Sequence, residues 1–298
     1  MPAGGDVEMP ELPDLAVYRD ALDRRLRGQV LLATHIRSPF VLRTADPPLR
    51  AAEGRSVVGV RRQGKRIVLE LANELFVVIH LMIAGRLHWL AEGGKAPARI
   101  TLARFDFSSG TLALTEAGTK RRASLHVVQG GEALAALDPG GLEVADADLQ
   151  TFAARLRMEN HTLKRALTDP RILSGVGNAY SDEILHRARL SPLALTAKLD
   201  DAAMAALHAA AQDLLREWTE RLRATAGERF PEKVTAFRPA MAVHGKFRQP
   251  CPVCGTPVQR IVYAENECNY CPRCQTNGVV LADRALSRLL HKSFPREI

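Results

Sequence analysis

Four cysteines near the end of the chain constrain it more than any other feature: Cys251-Pro-Val-Cys254 and Cys271-Pro-Arg-Cys274. Each Cys-x-x-Cys makes a tight turn whose two thiolates converge on one centre. Two such turns complete a tetrahedral four-sulfur site of the kind that holds zinc. Pro252 and Pro272 inside the turns, and Gly255 after the first, suit that geometry. Four protein ligands leave no open position for a substrate, so the single zinc ion expected here is structural. A fifth cysteine, Cys268, also forms a Cys-x-x-Cys pair with Cys271. The Cys271/Cys274 pair mirrors the first one and lengthens the intervening hairpin, which leaves Cys268 outside the ligand set. Tight cysteine pairs of this kind fit a metal site in a reducing cytoplasm better than a disulfide framework.

The rest of the chain is too long to be a finger alone. Its 298 residues allow two domains with cores of their own, and 46% hydrophobic with 25% charged residues is ordinary for a globular protein. The net charge of +8 suits a polyanionic partner, since each Lys or Arg set on a phosphate releases counterions. No run approaches the roughly 18 apolar residues that span a bilayer. The first nine residues lack the basic start and apolar centre of a secretory signal.

Helical spacing of Leu15, Tyr18, Leu22 and Leu26 predicts a helix over 10–27, with Asp14 as its N-cap after Pro13. Residues 29–125 change character. Val57–Val60, Ile67–Leu71, Leu75–Ile79 and Ile100–Phe105 are β-prone runs, punctuated by Gly64, Asn73-Glu74, Gly93-Gly94 and Ser108–Gly110. That spacing predicts a β-sandwich. Gly130-Gly131 and Asp138–Gly141 mark a boundary, beyond which helices are predicted at about 147–157, 161–169, 177–188 and 200–226. The fold class is therefore α+β: a leading helix and sandwich over 10–128, a helical domain over 142–248, a zinc ribbon over 249–276 and a basic tail over 277–298.

Met9-Pro10-Glu11-Leu12-Pro13 carries the chemistry. Methionine aminopeptidase removes Met before a small residue, so a chain started at Met9 would begin with Pro10. A terminal proline is a secondary amine, able to attack a sugar aldehyde carbon and form an iminium. Its pKa of about 8 leaves much of it unprotonated near neutral pH. Glu11 lies beside that amine, placed to move protons. Met1–Glu8 precede the motif and would block the amine. Translation is expected to begin at Met9, because codons for Gly4-Gly5 admit a ribosome-binding sequence at suitable spacing. Pro2 is a rival terminus, but Ala3 follows it where the motif needs an acid.

Taken with the cysteine pairs, Lys65 and Gly175-Val-Gly-Asn178, this resembles the formamidopyrimidine-DNA glycosylase/endonuclease VIII family of base-excision repair enzymes. The resemblance covers about residues 10–276. It implies that Pro10 attacks C1′ of an everted nucleotide, Glu11 protonates the sugar ring oxygen, and Lys65, in Gly64-Lys65-Arg66, contacts phosphate and assists. Lys164 with Gly175, Gly177 and Asn178 matches the family's helix–two-turn–helix DNA clamp, Asn178 capping the second helix. The implied protein is a monomer acting on damaged duplex DNA, without small-molecule cofactor or membrane, in a bacterial cytoplasm.

Three departures stand out. The family's void-filling Met aligns with Ile83 in His80-Leu-Met-Ile-Ala-Gly85; Met82 is one place early, which on a strand would send it to the opposite face. The second loop, Glu116–Ala123, offers Arg121 and Arg122 but no phenylalanine. The hairpin-tip arginine is replaced by Asn266, with Arg260 or Arg273 as stand-ins. The expected function is a bifunctional glycosylase/AP lyase for formamidopyrimidine or 8-oxoguanine lesions. A catalytically inactive damage-binding protein, if residues 1–9 are retained, and a zinc-ribbon nucleic-acid adaptor are the alternatives.

Overall fold

Glu11 opens the first helix, α1 (Leu12–Leu26), as its N-cap. This corrects the expected cap at Asp14. Pro13 is tolerated inside a first turn, whose N–H groups have no helical acceptor anyway, so the helix starts earlier. Asp14 falls on the third helical position, and its Oδ2 accepts the Glu11 N–H at 3.0 Å. Leu15, Tyr18, Leu22 and Leu26 form the fully buried face. The helix packs along strand β2 (Val57–Gln63). Asp23 Oδ1 accepts the Val60 N–H at 2.9 Å and Arg27 donates to the Val58 carbonyl at 2.9 Å, which sets the register between helix and strand.

The computed structural model describes residues 9–91, 94, 97–117, 120–232, 234–235, 237–263 and 266–281. Met1–Glu8, Gly93, Gly118-Thr119, the hairpin tip Ala264-Glu265 and the tail beyond Leu281 lie outside the described residues. The chain forms two compact units, Met1–Pro139 with Trp218–Ala236, and Gly140–Glu217 with Phe237–Ile298.

In the first unit, β1 (Leu31–Ile36), β6 (Thr101–Phe107), β7 (Gly110–Glu116) and β5 (Gly85–Leu90) make one antiparallel sheet in the order β1-β6-β7-β5. Strand β2 joins β3 (Arg66–Leu71), β4 (Leu75–His80) and β8 (Ser124–Gln129) in the other, ordered β2-β3-β4-β8. Leu31, Leu69, Val77, Phe105, Leu114 and Leu125 fill the sandwich. Each such burial is worth roughly 1.5–3 kcal/mol, and the alternation of inward residues selects the register. Strand β4 is buried on both faces because a short helix, α2 (Gly131–Ala135), adds Leu134 to a second cluster of Val68, Phe76, Val78 and Val128. The same unit takes in the end of a long helix, α6 (Asp201–Ala226), and the segment after it. Phe230 and Val234 enter the sandwich core, with the Phe230 ring 5.6 Å from that of Tyr18.

The second unit holds α3 (Leu149–Arg157), α4 (Leu163–Thr168), α5 (Asn178–Arg187) and most of α6. Asp148 caps α3 by accepting the Thr151 N–H at 2.7 Å. The ribbon hairpin, β9 (Gln259–Tyr263) with β10 (Asn266–Tyr270), is followed by the single-turn helix α7 (Pro272–Thr276). Among the described residues, no helix is long and apolar enough to cross a membrane.

Candidate active site, nucleic-acid interface and zinc centre

Pro10 and Glu11 lie where the chain enters α1, and both are buried, Glu11 to 1% exposure. Glu11 makes the first helical turn with its carbonyl, which accepts the Leu15 N–H at 2.9 Å. The pair is thus held by helix geometry, with the Pro10 nitrogen preceding the first turn.

Lys65 sits in the two-residue connection of the β2–β3 hairpin, beside Gly64. Gly64 has φ +57°, a value that glycine adopts without strain and that short hairpins require. Arg62 braces the turn by donating to the Gly64 carbonyl at 2.7 Å. Cross-strand pairing sets Arg66 opposite His80. Burial first, and then the nearby cations of Arg66, Lys65 and His126, push His80 down to about 4, so it is neutral at neutral pH. His80 and His126 join Lys65 and Arg66 in a cluster, and these two histidines are what sequence reading missed. Only the strand register brings the two histidines to this pair; nothing in their spacing announces it.

Ile83 is not on a strand. Strand β4 ends at His80, and Met82–Ala84 form a turn before β5. The alternating-face argument for Met82 is therefore corrected: Met82 has φ +52° and is half-buried, while Ile83 is the exposed tip at 37%. The turn is tight. A Cβ on Gly85 would stand 2.2 Å from the Leu81 carbonyl oxygen, so only glycine fits. Arg86 holds the turn from beneath, donating to the carbonyls of Ile83 at 3.0 Å and Gly85 at 2.7 Å. Arg121 and Arg122 are both exposed on the second loop. The buried Glu116 carboxylate anchors that loop by accepting the N–H groups of Arg122 at 2.9 and 3.0 Å and Ala123 at 3.1 Å.

In the second unit, Gly175 (φ +77°) and Gly177 are buried, and Asn178 begins α5. Gly177, not Asn178, is the N-cap. Its extended backbone aims its carbonyl at the Ser181 N–H, 3.1 Å away, and so starts the helical ladder one residue early. Lys164 also differs from an outward-facing cation. It is 9% exposed, and its Nζ donates to the Asn178 carbonyl at 2.7 Å, Ser181 Oγ at 2.8 Å and Asp182 Oδ1 at 2.5 Å. It ties α4 to the first turns of α5. Burial alone would raise the Asp182 carboxyl, yet Lys164 and His244 beside it hold it below the usual carboxylate range. Asp182 Oδ2 also takes His244 Nδ1 at 2.8 Å and the Asn269 N–H of β10 at 3.0 Å.

The four ribbon sulfurs converge. Cys251, Cys254, Cys271 and Cys274 present Sγ atoms all within 4.8 Å of one another, with 3.9 Å between Cys251 and Cys274 and 3.4 Å between Cys254 and Cys271. A tetrahedron with metal–sulfur bonds of about 2.3 Å has sulfurs about 3.8 Å apart, so the donor set fits zinc. Cys268 points elsewhere. It is fully buried with Ile261 and Tyr270, and burial pushes its thiol well up. Of the two stand-ins for the tip arginine, Arg260 stacks on Phe247 at 4.3 Å and pairs with Glu267 at 3.0 Å, whereas Arg273 is exposed on α7.

Three family models match in order: the formamidopyrimidine-DNA glycosylase N-terminal domain over residues 9–124, its H2TH domain over 137–227, and the zinc finger found in FPG and IleRS over 248–277. A formamidopyrimidine-DNA glycosylase from Salinispora arenicola is 34% identical, with 90% of this chain and 96% of that protein covered. The chain belongs to the formamidopyrimidine-DNA glycosylase family. The zinc-finger match and the cluster of four cysteines fit one structural zinc ion. An uncharacterized formamidopyrimidine-DNA glycosylase-like protein of Mycobacterium tuberculosis is 40% identical over 52% of this chain and 94% of its own length. The fold is that of the Lactococcus lactis Fpg crystallised with abasic-site DNA, with a TM-score of 0.78 and 22% identity over 89% of this chain and 99% of that one.

Proposed function

We propose that this family member is a monomeric, bifunctional DNA glycosylase and AP lyase that excises oxidised bases of the formamidopyrimidine/8-oxoguanine type from duplex DNA. The observation that carries the reading is the Pro10–Glu11 pair at the mouth of α1, at the point where the match to the family's N-terminal domain begins. A damaged base must leave the stack before its anomeric carbon can be reached. With the chain begun at Pro10, the secondary amine attacks C1′ while the Glu11 carboxyl protonates the ring oxygen. The ring opens, the base departs, and an iminium joins C1′ to Pro10. That cation acidifies C2′; loss of its proton expels the 3′ phosphate, and a second elimination expels the 5′ phosphate.

The remaining groups support binding. Lys65 and Arg66 present cations for phosphate near the sandwich hairpin. The N-terminus of α5, at Asn178, favours an anion through the helix dipole. The exposed Ile83 is the apolar wedge for the vacated stack, and Arg121 and Arg122 face the opposite strand in place of an aromatic residue. Zinc takes no part in this chemistry; it folds the ribbon.

Borohydride trapping on lesion duplexes tests the proposal, with the N-terminus of each preparation established by mass spectrometry. Protein beginning at Pro10 should trap, and a version retaining residues 1–9 should bind abasic DNA without trapping. Glu11→Gln should lose base excision yet keep cleavage of a preformed abasic site, whose aldehyde is already open. Equal trapping by the extended version would remove Pro10 from the reaction.

A further inference from the structure

Helix α5 begins at the glycine turn and ends against the metal centre. His186, in its last turn and 7% exposed, brings Nε2 to 3.3 Å from Cys251 Sγ. Cys251 is itself 2% exposed and packed with Val243 and Val258. Four thiolates on one Zn²⁺ leave a net negative charge in these surroundings, and charge on sulfur is stabilised by an aimed donor. A thiolate only accepts, so the imidazole nitrogen facing it must carry the proton.

We propose that His186 is a positioning residue of the zinc centre, donating its Nε2–H to the Cys251 thiolate and thereby slowing loss of the metal. Two acids of α5 grip the ribbon and the segment before it. Asp182 takes the Asn269 N–H, and Glu183 accepts the N–H groups of Ala242 at 2.8 Å, Val243 at 2.8 Å and His244 at 2.9 Å. The Asp182 bond secures the ribbon's backbone and the Glu183 bonds secure the segment leading into it, while His186 acts on the sulfur. A cavity of about 290 Å³ opens beside the centre, with His186, Arg187, Arg189, Val253 and Cys274 on its walls. A chelator therefore has a route to the half-buried Cys274 side.

The test is the rate at which the zinc-loaded full chain transfers metal to pyridylazoresorcinol. Outer donors to metal ligands are generally worth about 10- to 100-fold in metal affinity, so His186→Phe, which fills the space without a donor, should release zinc faster by that order. His186→Gln, whose amide can still donate, should stay within a few-fold of the parent. In cobalt-substituted protein the thiolate-to-cobalt charge-transfer band should move in His186→Phe and hold in His186→Gln. The zinc-free forms of all three should unfold at the same urea concentration. Parental release with an unmoved band in His186→Phe would overturn the proposal. So would equal destabilisation of its zinc-free and zinc-loaded forms, since that would reduce His186 to packing.

Discussion

Replacing Lys164 by Met separates a strut from a phosphate contact. Its ammonium is nearly inaccessible and donates three bonds, one of them to an Asp182 carboxylate that is fully buried. Removing the cation leaves that carboxylate facing His244, the Asn269 N–H and the Cys268 thiol. Breaking a buried pair on one side costs about 3–5 kcal/mol, far more than a surface ion pair. At about 1.4 kcal/mol per tenfold, α5 amides that exchange by opening of this module should exchange between roughly a hundred- and a few-thousand-fold faster. Native-state hydrogen exchange reads that directly. Adding Asp182→Asn should recover part of the loss, because the orphaned charge is gone. The slope of log affinity against log salt for abasic duplex should stay near its parental value. An outward phosphate contact would instead lower that slope by about 0.9 and leave α5 protection unchanged. That pair of results would refute the strut.

Ser at Cys251, Cys254, Cys271 or Cys274 should abolish zinc binding and weaken DNA binding, since metal supplies the ribbon's folding energy, roughly 10–16 kcal/mol in isolated finger peptides. Cys268→Ser should retain one zinc by metal analysis; loss there with full occupancy in Cys274→Ser would reassign the ligands. His80 gives a pH signature. Its folded value of about 4 lies below the ordinary 6.5, so the unfolded chain binds more protons between those limits. Stability then rises with pH across that window and is lost on acidification, by at most about 3 kcal/mol. His80→Gln should flatten that limb in urea midpoints taken between pH 7 and pH 4.5.

The sequence by itself determined the class of the protein and most of its parts. Cys-x-x-Cys pairs carry their geometry in local turns, so the zinc centre was readable without a fold. Helix α1 is legible in its apolar periodicity, and the sandwich in apolar β-prone runs between turn residues. Strands β1, β5, β7 and β8 did not, because their polar residues interrupt the pattern and only pairing with neighbours completes it. Helix α2 was likewise invisible: a few residues after Gly130-Gly131 look like a boundary until Leu134 is seen covering β4.

Tertiary structure alone decided where charges end up. Lys164 read as a DNA contact because a lysine before a glycine turn has the right type and spacing; its direction depends on Asp182, a helix turn further on. The cluster of Lys65, Arg66, His80 and His126 exists only through antiparallel register. Strand alternation does not place Met82, because the chain turns there. Nothing in the sequence sets His186 apart from other helical histidines; only the fold brings it against Cys251. Local rules fix backbone conformation because they act between near neighbours. Burial and pairing of side chains are settled between residues far apart in sequence, where only the packed fold specifies the partner.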